Sequence, residues 1–211
     1  MRFKPPLPTS EEIGLMRKYL ELKVKAAKSV GDVEEYKRAI RDYAIFMTLL
    51  LTGRRIGEIL SVYVADIDWN KKVMNTIILK TKKGGVVERE KRPIGFPPEL
   101  ESILKEYINA WGLKPNDPLF PVTARAVQLM FKEVREAVGI EKPIVPHSLR
   151  RYLITKLVER GWTYEQIKNI TGHKSVSTLQ IYDTTTFFMV RDKFLNDVKN
   201  ILSESEVSGN Q

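Results

Sequence analysis

The chain has 211 residues and a mass of 24.3 kDa, enough for one large domain or two small ones with a buried core. Its 35 lysines and arginines outnumber its 26 aspartates and glutamates, and the net charge of +9 favours a polyanionic partner, nucleic acid ahead of a membrane surface. The sequence contains no cysteine, which excludes disulfides, thiolate zinc sites and cysteine nucleophiles and is compatible with a reducing cytoplasm.

Residues 1–8 predict an extended lead-in, because the three prolines in this stretch fix φ and block helix formation. No apolar segment typical of a signal peptide is found there, so we expect a soluble cytoplasmic protein with no membrane contact. A first helix is expected to begin at Thr9, because Thr9 and Glu12 have the spacing of a capping box.

A second helix is predicted from Asp32 to Thr52. It contains the most apolar stretch of the chain, residues 44–51, which falls short of the about 20 residues that a membrane-spanning helix needs. We therefore interpret this stretch as a buried helix. Gly53 follows it and can take the left-handed conformation that ends a helix. A short helix over residues 55–62 is expected next.

Two strands are predicted at residues 73–79 and 86–94, because these stretches are rich in β-branched residues and flank the sequence Lys-Lys-Gly-Gly at 82–85. The glycine pair supplies the positive φ that a tight hairpin turn requires. Pro93 cannot donate a ladder hydrogen bond, so it is expected at a sheet edge or a strand end.

Helical patterns resume after the hairpin and continue to residue 202. The predicted helices cover residues 98–110, 123–138, 148–160, 163–171, 177–183 and 187–202. The polar residues 203–211 predict a flexible tail. The expected fold class is therefore mainly α with a small antiparallel β-hairpin or three-stranded sheet, an α+β arrangement.

The chemistry is expected to fall to arginine, lysine, histidine, tyrosine and serine. No glycine-rich loop for a nucleotide is present, and no metal or cofactor is expected. Asp66 and Asp68 form the one close aspartate pair, which we interpret as capping a polar turn rather than binding a metal. The remaining residue types suit stabilisation of charge on a phosphate.

Four short segments concentrate these residue types. They are residues 52–58 (Thr-Gly-Arg-Arg-Ile-Gly-Glu), the hairpin turn with its lysines, residues 146–151 (Pro-His-Ser-Leu-Arg-Arg) and residues 172–182. In the third segment, His147 and Arg150 are three residues apart, so they lie on one face of a helix's first turn. In the fourth, His173 precedes Tyr182 by nine residues.

The four segments resemble the tyrosine recombinases, the family of phage integrases and Xer-type site-specific DNA recombinases. Members of this family carry an arginine in a TGxRxxE box, a lysine in a β-hairpin, an HxxR box, a GH box and a nucleophilic tyrosine nine residues later. The same order is found here, and the resemblance covers residues 9–202, the extent of the family's catalytic domain. The N-terminal domain that completes a DNA clamp in the family has no counterpart in residues 1–8 and is expected to be absent.

The resemblance implies a role for each matched residue. The implied catalytic residues are Arg55, Lys82, His147, Arg150, His173 and Tyr182, supported by Glu58, and the implied DNA-binding residues are Lys80, Lys83, Arg151 and Lys174. Arg54 stands where the family usually has an apolar residue. Lys80 and Lys83 remain alternatives to Lys82 as the hairpin lysine, and the sequence leaves open which histidine acts as the base.

The implied reaction is breakage and rejoining of double-stranded DNA through a 3′-phosphotyrosyl intermediate, in site-specific recombination or integration, without ATP. The resemblance also implies self-association on DNA as a dimer or tetramer, and association with the nucleoid. Two alternatives are a type IB topoisomerase, which shares this chemistry, and a basic DNA-binding module without catalysis.

Individual residues also have ordinary structural interpretations. Arg54 and Glu58 have the spacing of an i,i+4 ion pair on a helix. Arg150 has the alternative of being a surface cation, and Tyr152 is interpreted as an amphipathic residue at the edge of the core. The order of the four segments favours the catalytic interpretation of the set.

Overall fold

The computed structural model describes the backbone of residues 6–81 and 87–171, with side chains except at 78–81, 87–90, 169 and 170. The elements in chain order are α1 Ser10–Val30, α2 Val33–Thr52, α3 Ile56–Ile59, β1 Ile67–Asp68, β2 Val73–Thr81, β3 Val87–Gly95, α4 Pro98–Trp111, α5 Ala124–Ala137, α6 Pro146–Glu159 and α7 Tyr164–Thr171. The chain divides into two compact units, Met1–Ile154 and Thr155–Gln211. The expected class, mainly α with a small antiparallel sheet, is confirmed.

Helix α2 is the centre of the larger unit and packs against α1, α4 and α5. Asp32 caps its start by accepting the Glu35 N–H at 2.9 Å, and Gly53 ends it at φ 60°. Both ends lie where the sequence predicts them. Phe46 and Leu49 are almost completely buried, and burial of each such side chain contributes roughly 1.5–3 kcal/mol. The prediction of a buried helix is therefore confirmed.

Within residues 6–81 and 87–171, none of the helices has both the length and the apolar character that crossing a bilayer requires.

The first turn of α1 is joined to the segment that carries α6. Thr9 and Glu12 form the predicted capping box, with the Thr9 N–H donating to Glu12 Oε2 at 2.7 Å and the Glu12 N–H donating to Thr9 Oγ1 at 3.1 Å. Glu12 Oε2 also accepts from Lys142 Nζ at 2.8 Å, and the Tyr152 hydroxyl lies 3.0 Å from Ser10 Oγ. We call these two long-range contacts the α1–α6 clasp. The half-buried position of Tyr152 confirms its interpretation as a core-edge residue.

The lowered pKa of Glu12 reflects the Glu12–Lys142 contact of this clasp. Burial alone would raise the pKa of the carboxyl, but the hydrogen bonds and charge of Lys142, together with the cap at Thr9, outweigh burial and lower it. A lowered carboxyl pKa in the folded state means that the clasp stabilises the fold above the ordinary pKa of 4.5 and is lost as the pH falls through the lowered value.

The sheet has the strand order β1-β2-β3 with antiparallel pairing throughout. The β2–β3 register runs from Val73 opposite Gly95 to Thr81 opposite Val87. Pro93 lies opposite Asn75 on β3, which is an edge strand of the described sheet, as predicted. The predicted turn at 82–85 lies outside the described residues.

The aspartate pair has the turn-capping role that the sequence predicts. Asp66 Oδ2 accepts the Tyr63 N–H at 3.1 Å, and Asp66 Oδ1 accepts from Lys91 Nζ at 3.0 Å. Asp68 Oδ1 accepts the Lys71 N–H at 2.9 Å. Both carboxylates are therefore bound by backbone and ammonium donors at the start of the sheet.

Helices α3 and α6 depart from their predicted bounds. The helix expected over 55–62 ends at Ile59, and the chain beyond it pairs with a distant segment: the Val62 carbonyl accepts the Leu119 N–H at 2.8 Å, and the Val64 N–H donates to the Asp117 carbonyl at 3.1 Å. Helix α6 begins at Pro146 instead of residue 148, since a proline at the first helical position needs no N–H partner and has the required φ. The helices predicted at 177–183 and 187–202 and the tail at 203–211 lie outside the described residues.

Candidate active site

The segment between α2 and α3 positions Arg55. The left-handed turn at Gly53 ends α2, and Arg55 becomes the N-cap residue of α3. Glu58 then holds Arg55 twice: its Oε2 accepts the Arg55 backbone N–H at 3.0 Å, and its Oε1 accepts from Arg55 Nη1 at 2.8 Å. The Glu58 side chain is 8% exposed and that of Arg55 is 42% exposed. A buried carboxylate therefore fixes a guanidinium that stays accessible to a ligand.

Helix α6 brings the second arginine to this segment from 97 residues away. Arg150 is 1% exposed, and its Nη1 donates a 2.7 Å hydrogen bond to the Gly53 carbonyl, two residues before Arg55. The alternative of a surface cation at Arg150 is therefore wrong. His147 lies on the same first turn of α6, where the free N–H groups and the helix dipole favour an anion.

The pKa of His147 shows that the positive charges converge. The residue is exposed, yet the imidazole loses enough hydration to its surroundings that desolvation lowers its pKa. The charges of Arg150, Arg55 and Arg151 lower the pKa further. The imidazole is consequently neutral at pH 7, and a neutral imidazole can accept a proton. A site that disfavours a further cation is also one that favours an anion such as a phosphate.

Arg54 has an environment that the sequence analysis missed. Its guanidinium is 1% exposed and its Nη2 donates to the Pro93 carbonyl on β3 at 2.9 Å. The alternative of an Arg54–Glu58 ion pair is wrong, because both Glu58 oxygens accept from Arg55. Desolvation is the main cause that lowers the pKa of Arg54. The sequence held one sign of this buried environment, because arginine stands at position 54, where the family usually has an apolar residue.

The structure thus brings together four of the residues singled out from the sequence, Arg55, Glu58, His147 and Arg150, with Arg151 beside them. Lys80 lies on β2 opposite Glu88 in the register. The other candidate residues lie outside the described residues: Lys82, Lys83, His173, Lys174 and Tyr182. Among the residues that the structure describes, no three histidine or acidic side chains are grouped so that they could hold a metal ion.

The fold is the tyrosine recombinase catalytic-domain fold. The catalytic domain of bacteriophage HP1 integrase superposes with a TM-score of 0.53 at 13% identity, covering 86% of this chain and 88% of that one. The crystal structure of XerH site-specific recombinase in a post-cleavage complex with palindromic difH substrate superposes with a TM-score of 0.66 at 20% identity, covering 94% of this chain and 54% of that chain.

The sequence relationship is consistent with this fold. The phage integrase family profile matches residues 22–187, and the chain belongs to this family. Tyrosine recombinase XerA of Saccharolobus solfataricus is 28% identical over 207 residues, which cover 96% of this chain and 63% of XerA. The chain therefore spans less than two thirds of the length of this relative.

Proposed function

We propose that the protein cleaves and rejoins DNA strands in site-specific recombination, with Tyr182 forming a 3′-phosphotyrosyl intermediate. One observation carries the proposal: Arg150 donates to the carbonyl of Gly53, so that two segments 97 residues apart bring two guanidiniums and His147 together. An arrangement of this kind suits a phosphodiester, which is already negative and gains negative charge in the transition state.

Arg55 and Arg150 are the proposed phosphate clamps. A guanidinium is always charged and can bind two phosphate oxygens at once. Each arginine is held before substrate arrives, Arg55 by Glu58 and Arg150 by Gly53. Such preorganised donors stabilise transition-state charge without reorganisation, and loss of one costs roughly 10²–10³ in rate.

The proposed reaction needs a proton acceptor and a proton donor. A tyrosine with the reference pKa of about 10 is phenolate in only about one molecule in a thousand at pH 7. The neutral imidazole of His147 supports a role in taking the Tyr182 proton, and His173 is the other candidate. As the Tyr182 oxygen bonds to phosphorus, the bond to the 5′-oxygen breaks, and Lys82 donates a proton to that oxygen.

Double-stranded DNA is the proposed substrate, and Lys80, Lys83, Arg151 and Lys174 are the proposed further DNA contacts. The net charge of +9 supports such a partner, as does the family membership. The structurally similar Tn1549 transposon integrase is in complex with transposon right end DNA in its structure. We further propose that copies of the chain associate on DNA and that the protein acts at the nucleoid in the cytoplasm. The covalent link keeps the energy of the phosphoester, so rejoining needs neither ATP nor a metal.

A suicide duplex that traps the cleaved strand tests this proposal. We expect denaturing electrophoresis to show a covalent protein–DNA adduct with the wild type and none with Tyr182→Phe. Tyr36→Phe is the matched control, because the Tyr36 hydroxyl donates to Glu106 Oε1 at 2.8 Å, outside residues 52–58 and 146–151, and its loss should leave the adduct unchanged. DNA binding without any adduct would support the non-catalytic alternative. Relaxation of supercoiled plasmid without synapsis of two recombination partners would favour the topoisomerase alternative.

A further inference from the structure

The guanidinium of Arg54 is buried with most of its hydrogen-bonding capacity unused. It is 1% exposed, and within the described part of the chain neither Nε nor Nη1 has a hydrogen-bond partner. Native proteins pair nearly all their buried polar groups, so an exception of this size calls for an explanation. Stability does not provide one, because a buried charge without a full set of partners destabilises a fold.

The hydrogen bond that Arg54 does make joins two parts of the proposed site. Arg54 directly precedes Arg55, and its Nη2 donates to the Pro93 carbonyl at 2.9 Å. Pro93 belongs to β3, which pairs antiparallel with β2. One buried side chain therefore links residues 52–58, which we call the arginine box, to the β2–β3 hairpin on which the candidate lysines are predicted.

The side chains of Arg54 and Arg150 are equally buried, but their hydrogen bonds run to different places. Arg150 donates to Gly53, beside Arg55, whereas Arg54 donates to the backbone of β3. The contact of Arg54 therefore suits an effect on the chemistry through β3. Strands β2 and β3 are paired along nine residues each, from Val73–Gly95 to Thr81–Val87, so we expect a displacement of β3 at Pro93 to shift β2 as well.

We propose that Arg54 is a positioning residue that holds the β2–β3 hairpin, and with it the hairpin lysine, in place relative to Arg55. This inference rests on the proposed function, in which a hairpin lysine protonates the leaving 5′-oxygen. It predicts that loss of Arg54 impairs proton delivery to the leaving group more than phosphate binding.

A substrate with sulfur in place of the bridging 5′-oxygen separates these two effects. A thiol has a pKa of about 8.5, far below that of an alcohol, so a 5′-thiolate leaves without a proton donor. We expect Arg54→Met to slow cleavage of the oxygen substrate roughly 10- to 100-fold, at or below the 10²–10⁴-fold that a general acid contributes, because the lysine is displaced and not removed. We expect it to cleave the sulfur substrate within about threefold of wild type. The hairpin lysine variant, tested at Lys80, Lys82 and Lys83 in turn, should show the same selectivity.

Thr76→Val is the matched control. Thr76 is buried in β2 and donates to the carbonyl of Arg92, the residue next to Pro93, and among the described residues no hydrogen bond joins its side chain to residues 52–58. We expect it to leave the ratio of oxygen to sulfur rates at the wild-type value. Thermal unfolding should show that Arg54→Met melts at or above the wild-type temperature. Arg54→Lys provides the same rate comparison if the methionine variant does not fold.

Equal slowing of both substrates by the Arg54 variants, or no slowing of either, would overturn the inference. Failure of the proposed function is a separate result, because the wild-type protein would then form no adduct with either substrate.

Discussion

Arg150 Nη1 lies 2.7 Å from the carbonyl oxygen of Gly53, so a buried guanidinium fixes the backbone just ahead of Arg55. A charged donor of this kind binds a neutral carbonyl more strongly than an amide does, and the low local polarity strengthens the contact further. Arg150 thus has a structural task in addition to its proposed contact with phosphate.

Substitution of Arg150 should therefore lower stability and activity together. We expect Arg150→Ala to reduce the free energy of unfolding by about 2–4 kcal/mol, because it leaves a cavity and removes the donor to Gly53. Urea unfolding followed by circular dichroism measures the first effect, and adduct formation on the suicide duplex measures the second. An Arg150→Ala protein of wild-type stability would contradict the structural task.

Arg55→Ala should separate the loss of activity from the loss of stability. The Arg55 side chain is 42% exposed, and the buried Glu58 carboxylate loses one donor but keeps the backbone N–H of residue 55, so we expect a loss of about 1–2 kcal/mol in unfolding free energy, less than for Arg150→Ala. The rate of adduct formation should fall roughly 10²–10³-fold, as for loss of one preorganised donor. The same assays apply, and a fall in stability as large as that of Arg150→Ala would show that Arg55 is mainly structural.

Glu58→Gln should disturb Arg55 without removing it. Both oxygens of Glu58 accept hydrogen bonds from Arg55, whereas an amide offers one oxygen and places an NH₂ group against the second donor. We expect adduct formation to slow roughly tenfold, because small misplacements of a catalytic group cost that much or more. Glu11→Gln, an exposed residue of α1 with the same charge change, is the control and should have wild-type activity.

The pH dependence of cleavage should reflect the lowered pKa of His147. A base must be deprotonated, so the rate should rise with pH through a pKa that lies below the ordinary value of 6.5 and then reach a plateau. His147→Gln should lower the plateau by about 100-fold and abolish this limb. With two histidines in the chain, comparison of the imidazole NMR titrations of wild type and His147→Gln assigns the pKa directly. A value above 6.5 in the free protein would contradict the convergence of charges at this site.

DNA affinity should fall steeply with salt, since phosphate contacts release counterions. Between about 50 and 200 mM salt we expect a loss of at least about tenfold, measured by fluorescence anisotropy. Arg151→Gln should weaken binding to all sequences alike and reduce the slope of affinity against salt by about one contact. A binding constant that barely changes over this range would rule out the phosphate contacts that we propose.

Local rules made much of the fold predictable. Thr9 and Asp32 cap the starts of α1 and α2, and Gly53 ends α2. All three act through contacts with residues three or four positions away, so the local sequence is enough to predict them. The end of α3 was predicted wrongly, and the chain that follows it pairs with Leu119 and Asp117, partners distant in sequence that no local pattern indicates.

The sequence predicted which segments come together at the site, but it did not predict the contacts that their side chains make. The ordered motifs indicated that residues 52–58 and 146–151 act together, and the structure brings them together. The burial of Arg54 and Arg150 depends on packing between segments far apart in the chain, which no local pattern encodes. The same holds for the shift in the pKa of His147, since its direction follows from desolvation by the surrounding chain and from charges on two different elements.

The α1–α6 clasp has a consequence for the motion of this site. Lys142 and Tyr152, which Glu12 and Ser10 hold, flank the turn that carries His147 and Arg150 on both sides. Fraying of the first turn of α1 therefore removes a contact on each side of that turn at once. We expect amide hydrogen exchange around His147 to speed up when the start of α1, more than 130 residues earlier in the chain, is destabilised.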